Sequence, residues 1–246
     1  MLNNAWALFL ALSLHPAPAA QPASAIRSTD RPITHVFQNL GHDIKALPSA
    51  RSAGIVVAGV AGGWFAHSTG DQDVANWAAR QTDAEYADAG MVMGDGWVQG
   101  GLALTTYAIG AIGHQARVAH IGSDLIRAQL LNGLLTTGLK ISVDRTRPSG
   151  GTHGFPSGHT SAAFATAAVL DGHYGWKAGV PAYALAGFIG WTRVRDHVHF
   201  LSDVVIGSAI GTVVGRTVTS GHRARSWSIA PAPTPSGAGI VFLKNW

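Results

Sequence analysis

The sequence predicts an all-α fold, a bundle of about six helices with an irregular N-terminal arm and a short C-terminal tail. Three observations carry that prediction. Six apolar segments rich in Ala, Gly, Val and Leu recur at 52–66, 98–114, 121–141, 159–172, 177–192 and 203–217, lengths that suit helices rather than strands. Apolar residues make up 47% of the chain and charged ones only 12%, which excludes disorder for most of its length. With 246 residues and no cysteine, the chain can bury a core of ordinary size and must do so without disulfide staples.

From the N-terminus, residues 1–25 carry no charged side chain, and Ala5 to Leu14 form an apolar run too short to span a bilayer. They read as a secretory signal peptide cleaved after Ala25 or, as second choice, after Ala19, with an uncleaved anchor as the alternative. Residues 26–51 mix Arg27, Arg31, Lys45 and Arg51 with Pro32 and Pro48, the pattern of an irregular arm holding one short helix. The stretch 67–97 gathers Asp71, Asp73, Asp83, Glu85, Asp88 and Asp95 against the single Arg80. It reads as a surface loop with a helix near Val74 to Tyr86. From Ser220 onward two alternating stretches flank a Pro/Gly/Ser turn, as in a peripheral hairpin or a loose tail.

At 1.5 Å per residue the apolar segments reach roughly 21–32 Å, marginal against a hydrocarbon core of about 30 Å. The third segment also carries Asp124, Arg127, Gln129, Asn132 and Lys140, too polar for a lipid-facing span. If the helices run up and down, Arg117, Lys177, Arg216, Arg223 and Arg225 collect at one end and the acidic stretch at the other, which fits the positive-inside rule with the acidic end outside the cytoplasm. A bundle associated with the periplasmic face of the membrane is favoured, and a spanning one stays open. The formal charge of +4 favours anionic substrates or lipid surfaces; its scattered cations form no nucleic-acid footprint.

The same up-and-down order brings three polar segments to one end. Lys140 and Arg147 lie two helical turns apart, so both can face one direction before Pro148 halts the helix; the alternative is a solvated basic face with Asp144 paired to Arg145 or Lys140. Pro156-Ser157-Gly158-His159 opens the fourth apolar segment. There a glycine lets the backbone approach an oxyanion, and the helix N-terminus presents its N–H groups; a plain turn with Ser157 as N-cap is the simpler reading. Arg193 precedes His199 and Asp203, which become neighbours once the sixth helix begins. The carboxylate can then accept the Nδ1 hydrogen and leave Nε2 outward as a nucleophile. Asp196 and His197 read as supporting or surface groups.

Lys140-x6-Arg147-Pro148, Pro156-Ser157-Gly158-His159 and Arg193-x5-His199-x3-Asp203 together resemble the three-part signature of the type 2 phosphatidic acid phosphatase (PAP2) family, which shares its fold and site with vanadium haloperoxidases and bacterial class A acid phosphatases. The resemblance implies a PAP2-like catalytic core over 98–219, flanked by the signal peptide at 1–25, an arm, first helix and acidic loop at 26–97, and a tail at 220–246. It further implies that His199 attacks phosphorus, that Asp203 orients it, and that His159 protonates the leaving oxygen and then activates water. Lys140, Arg147, Ser157, Gly158 and Arg193 hold the phosphate oxygens, with no metal and no cofactor. The sequence departs from the family at Thr192, at Phe200-Leu201 and at Arg195-Asp196, which touches substrate preference more than catalysis. The implied substrate is a lipid phosphate or diphosphate of the cell envelope, with membrane association and the site facing the periplasm; a small soluble phosphate ester is the alternative. A vanadate-dependent haloperoxidase is a further reading. So is a metal-dependent hydrolase using His153, His159, His197, His199 and Asp203, although that leaves three cations without a role.

Overall fold

Six long helices occupy the six apolar segments; five extend beyond the apolar run at both ends, and the second starts two residues early and stops two short, at Ile112. The computed structural model describes residues 36–81, 85–220, 227–234 and 237–244; the expected signal peptide lies outside the described residues. In chain order the helices are α1 (Val36–Ala46), α2 (Ala50–Thr69), α3 (Asp71–Ala78), α4 (Glu85–Gly94), α5 (Gly96–Ile112), α6 (Ala116–Val143), α7 (Gly158–Tyr174), α8 (Trp176–Arg195) and α9 (Leu201–Val218). The arm does hold one short helix, α1. The acidic stretch is a correction: it forms the end of α2, then α3 and α4, and Asp71 within it is buried.

Local chemistry sets the boundaries. Ser49 accepts from Ser52 N at the start of α2, and Asp95 accepts from Trp97 N at the start of α5, so each cap satisfies a backbone donor the helix cannot reach. Gly175, at φ 73°, ends α7 and opens α8. The tail is a hairpin, with β1 (Trp227–Thr234) antiparallel to β2 (Gly237–Lys244) and Thr234 opposite Gly237.

Helix α7 is the axis of the bundle, packed by α6, α8 and α9. Its Ala162, Ala163, Ala165, Ala167 and Ala168 are all buried. Such small side chains allow close approach, and α9 answers with glycines spaced by four. A β-carbon on Gly207 would lie 2.7 Å from Ser157 O, one on Gly211 2.1 Å from Ser161 O, and one on Gly215 2.4 Å from Ala165 O. The two backbones therefore touch over two turns, which fixes the start of α7 against the start of α9. On the other side of α7, Leu125, Ala128 and Leu131 of α6 complete the main core with Val169, Val214 and Val218.

Among the described residues α9 is the one helix long and apolar enough to cross a membrane, and half of it is buried. The α1–α2 pair, bent by 65°, passes the same test as one unit. The outer faces of α2, α5 and α8 nevertheless expose Val57, Trp64, Phe65, Trp97, Ile112, Trp176 and Val180.

Candidate active site

The C-terminal end of α6 and the N-terminal ends of α7 and α9 meet at one end of the bundle. Lys140 sits in the last turn of α6. The helix then stops earlier than its sequence suggests: Asp144 adopts φ 41°, ψ 46°, a left-handed conformation that ends a helix. Arg147 is therefore on a loop, correcting the expectation of a shared helical face. The loop is tied to itself by Arg147 N to Gly151 O at 2.7 Å and Gly154 N to Arg145 O at 2.7 Å. Two of the predicted phosphate ligands hold it further, Lys140 Nζ donating to His153 O at 2.8 Å and Arg147 Nε to Thr152 O at 3.1 Å.

Ser157 and Gly158 open α7. Ser157 N donates to Asp203 O at 3.1 Å, a direct bond between the second and third motifs. The Ser157 hydroxyl makes no capping bond and instead meets Thr160 Oγ1 at 2.9 Å. The first intrahelical bond is Ser161 N to Ser157 O, so the N–H groups of Gly158, His159 and Thr160 precede the hydrogen-bonded helix. A β-carbon on Gly158 would stand 3.7 Å from Lys140 Cε, which puts the lysine beside that helix start. Gly94 of α4 lies directly over His159.

Arg193, at the end of α8, is buried and pairs with Asp196, with Nη2 also 3.4 Å from Ala87 O of α4. Its carbonyl accepts from His199 N at 3.2 Å. His199 is buried, and its Nδ1 stands 3.6 Å from Asp203 Oδ2, an electrostatic contact longer than a hydrogen bond. Among the described residues His199 Nδ1 has no hydrogen-bond partner. The expected His–Asp hydrogen bond is thus a correction, and its cause is visible. Asp203 Oδ2 accepts from Phe200 N at 2.9 Å, closing the first turn of α9, while Oδ1 accepts from Arg145 Nη1 at 2.7 Å.

Arg145 is the residue that sequence reasoning missed. Nη1 also donates to Ser202 Oγ at 2.7 Å, Nη2 donates to Asp71 Oδ2 at 2.7 Å, and the guanidinium covers the Phe200 ring at 4.3 Å. Asp71 in turn accepts from Ser202 N at 2.9 Å and Ser202 Oγ at 2.6 Å and meets His67 Nδ1 at 3.0 Å. Burial alone would raise the Asp71 carboxyl, but the hydrogen bonds from Ser202 and Arg145 hold it below the usual carboxylate range. A signal was present in the sequence: His67 and Asp71 are four apart, the spacing at which helical side chains face each other, and they meet across the Gly70 junction between α2 and α3.

The electrostatics run one way. Burial and then Arg193 lower His159 to about 4, and burial and then Arg147 lower Lys140 to about 8. His199 is lowered by burial against the pull of Asp203, and Arg193 is lowered by burial. His159 also feels His199 and Lys140, and His199 feels Lys140 and Arg147. Burial is the first cause for each group; neighbouring cations add to it for Lys140, His159 and His199, while at Arg193 burial acts against the pull of Asp196 and Asp88. An oxyanion placed among them favours the protonated form of each.

A PAP2 superfamily sequence profile matches residues 122–227. A lipid A 1-phosphatase of Porphyromonas gingivalis is 38% identical over 97 residues, covering 38% of this chain and 22% of the relative. A lipid A 4'-phosphatase of Helicobacter pylori is 36% identical over 98 residues, covering 38% of this chain and 50% of the relative. The matched region thus spans half or less of the length of these curated relatives. Among solved structures, Aquifex aeolicus LpxE aligns with a TM-score of 0.51 and 22% identity over 61% of this chain and 94% of that one, a likeness of fold. All three motifs lie inside the span the profile matches, and residues 122–227 of this chain are of the PAP2 superfamily.

Proposed function

We propose that this protein is a metal-independent phosphatase that hydrolyses lipid phosphates of the cell envelope through a phosphohistidine. The observation that carries the reading is convergence: Lys140 stands beside the open N–H groups at the start of α7, and Lys140, Arg147, Arg193, His159 and His199 lie close enough to feel one another's charge, a cluster that a phosphate oxyanion completes. His199 Nε2 attacks phosphorus and the bond to the ester oxygen breaks. His159 gives that oxygen its proton, then takes one from water as the water displaces the phosphoryl group from His199. The products are the alcohol and inorganic phosphate. Lys140, Arg147, Arg193 and the N–H groups at the start of α7 meet the charge spread over the equatorial oxygens. Asp203, fixed by Arg145, steadies the imidazolium when the 3.6 Å gap to His199 closes around the substrate.

Lipid rather than soluble substrate is supported by the surroundings. An apolar cavity of about 320 Å³ adjoins the site, lined by Val60, Trp64, Phe155 and Ile206 beside Arg145 and Ser202. Trp64 in its lining is largely exposed, as Trp is at a membrane interface. The names of the two curated relatives point the same way. The catalytic core is residues 98–219, served by Asp71 and His67 from the 26–97 region, in an exported protein whose active end faces the periplasm.

Paired assays test this. Turnover of a lipid phosphate in mixed micelles should exceed that of a water-soluble monoester, need no added Mg²⁺ and be blocked by vanadate. Acid-labile phosphate should be trapped on the wild type and be absent from His199→Ala. Equal rates on both substrates would move the reading to a soluble acid phosphatase, and vanadate-dependent halide oxidation to a haloperoxidase.

A further inference from the structure

Away from this site, at the opposite ends of the same two helices, three metal-ligating side chains converge. His120 and Asp124 lie four apart on α6 and share a face, and His173 comes from the last turn of α7. Asp124 Oδ2 is 2.9 Å from His173 Nε2 and 3.7 Å from His120 Nε2, and the ligand atoms of all three lie within 4.8 Å of one another. Zinc bonds of about 2.0–2.1 Å in a tetrahedron put neighbouring donor atoms about 3.3 Å apart, between the two measured separations. The imidazoles meet edge to face at 84°, with centroids 5.4 Å apart, so their edges converge instead of stacking.

The surroundings suit a bound ion. The Asp124 side chain is fully buried and those of His173 and His120 are 7% and 17% exposed, a site largely closed to water. Arg127 binds Asp124 Oδ1 and reaches Asp43 of α1 with its other nitrogen, so two buried carboxylates share one guanidinium. Arg117 Nη2 donates to His173 O at 3.3 Å. Outer contacts of this kind hold ligands in a binding orientation.

We propose that His120, Asp124 and His173 form a Zn²⁺ site that clamps the start of α6 to the end of α7, with a water admitted beside the partly exposed His120 as the fourth ligand. Two neutral imidazoles and a carboxylate are the ligand types a borderline divalent ion prefers. The site is remote from phosphoryl transfer: sixteen residues of α6 separate Asp124 from Lys140, about 24 Å of helix. It therefore stands independently of the proposed activity.

The full chain, purified without a histidine tag and stripped with chelator, is titrated with Co²⁺ and then Zn²⁺. One Co²⁺ per chain should bind with the strong visible absorption of four-coordinate cobalt, Zn²⁺ should displace it, and Zn²⁺ should raise the apparent Tm. His120→Ala and His173→Ala should each weaken zinc binding by more than about 100-fold, beyond the 10–100-fold typical of an outer contact. His114→Asn, at an exposed turn, should leave it unchanged. Weak six-coordinate cobalt absorption, zinc uptake that persists in both histidine variants, or a Tm that responds to pH but not to zinc would overturn the assignment, the last leaving a shared proton between His173 and Asp124. Should an alanine variant fail to fold, His120→Gln and the wild-type cobalt spectrum decide it.

Discussion

At one end of the α6–α7 pair, Lys140 stands beside the start of α7 with His159, and the nearest carboxylate of α9 is occupied by Arg145. At the other end of the same two helices, His120 and His173 face Asp124. Both ends hold histidines, yet the first crowds them with cations and the second with a carboxylate. The contrast teaches that the imidazole's task is set by its neighbours: an anion completes the first cluster and a cation completes the second. Removing the groups that define each end breaks the comparison, and the largest effects belong to the phosphate end.

His199→Ala should lower turnover by more than about 10⁴-fold, the scale on which losing a nucleophile acts, because it removes the covalent route. His159→Ala should cost about 10²–10⁴, with part of the loss recovered on esters with good leaving groups, which need no proton. Steady-state kinetics on a matched pair of esters separates the two roles. Substantial turnover by His199→Ala would end the nucleophile assignment.

Arg145→Ala comes next. Asp203 and Asp71 are almost fully buried and both pair with Arg145, itself 21% exposed. Stripping one partner from a buried pair costs about 3–5 kcal/mol, and the partial exposure of Arg145 puts the expected loss near about 3 kcal/mol. Denaturation curves give that number. A purely structural role would stop there, but Asp203 released from Arg145 also loses its set position under His199, so kcat should fall more than KM rises. Arg145→Lys should restore less than half of either loss, because one ammonium cannot bridge two carboxylates in a fork.

What the sequence made legible follows from what is local. All six long helices are visible because apolar runs bounded by Gly, Pro and Asp are local patterns, and Ser157-Gly158-His159 sits at a helix start for the same reason. Arg145 was hidden because the run from Lys140 to Arg147 has helical spacing, and only the left-handed turn at Asp144 swings Arg145 towards α9 and α3. Asp71 was hidden by its acidic neighbours, which made a buried carboxylate look like one more surface charge. Its partner Ser202 is 131 residues away, a separation no periodicity reports. The His–Asp spacing of the third motif was legible, while the competing bond from Phe200 N was not.

Gly211→Ala tests whether the α7–α9 contact fixes the phosphate end. A methyl group there meets Ser161 O at 2.1 Å and Ala165 N at 2.9 Å, backbone atoms that cannot rotate aside. Overpacking of this kind costs about 1–3 kcal/mol. Separation of the helices should also stretch the Ser157 N to Asp203 O bond, so kcat should drop in the folded variant. Gly187→Ala on α8, where a methyl group meets nothing within 4 Å, should instead stabilise by about 0.5–1 kcal/mol and leave kcat alone.

The smallest effect is the most direct reading of the charge balance. Lys140 at about 8 must be protonated to hold a phosphate dianion, so kcat/KM should fall about tenfold per pH unit above that value. The profile of kcat should hold to higher pH, because the bound anion returns the proton to the lysine. Stability runs the opposite way. The folded pKa lies below the unfolded value of 10.5, so between about 8 and 10.5 the unfolded chain binds more protons and this group's contribution to stability rises with pH. It is fully present above 10.5 and is lost as pH falls through about 8. For His159, at about 4 against 6.5, the contribution is present above 6.5 and lost as pH falls towards 4. Lys140→Gln should remove both the basic limb of kcat/KM and the stability gain between pH 8 and 10.5. A variant that keeps the limb while losing the gain would assign phosphate binding to the arginines alone.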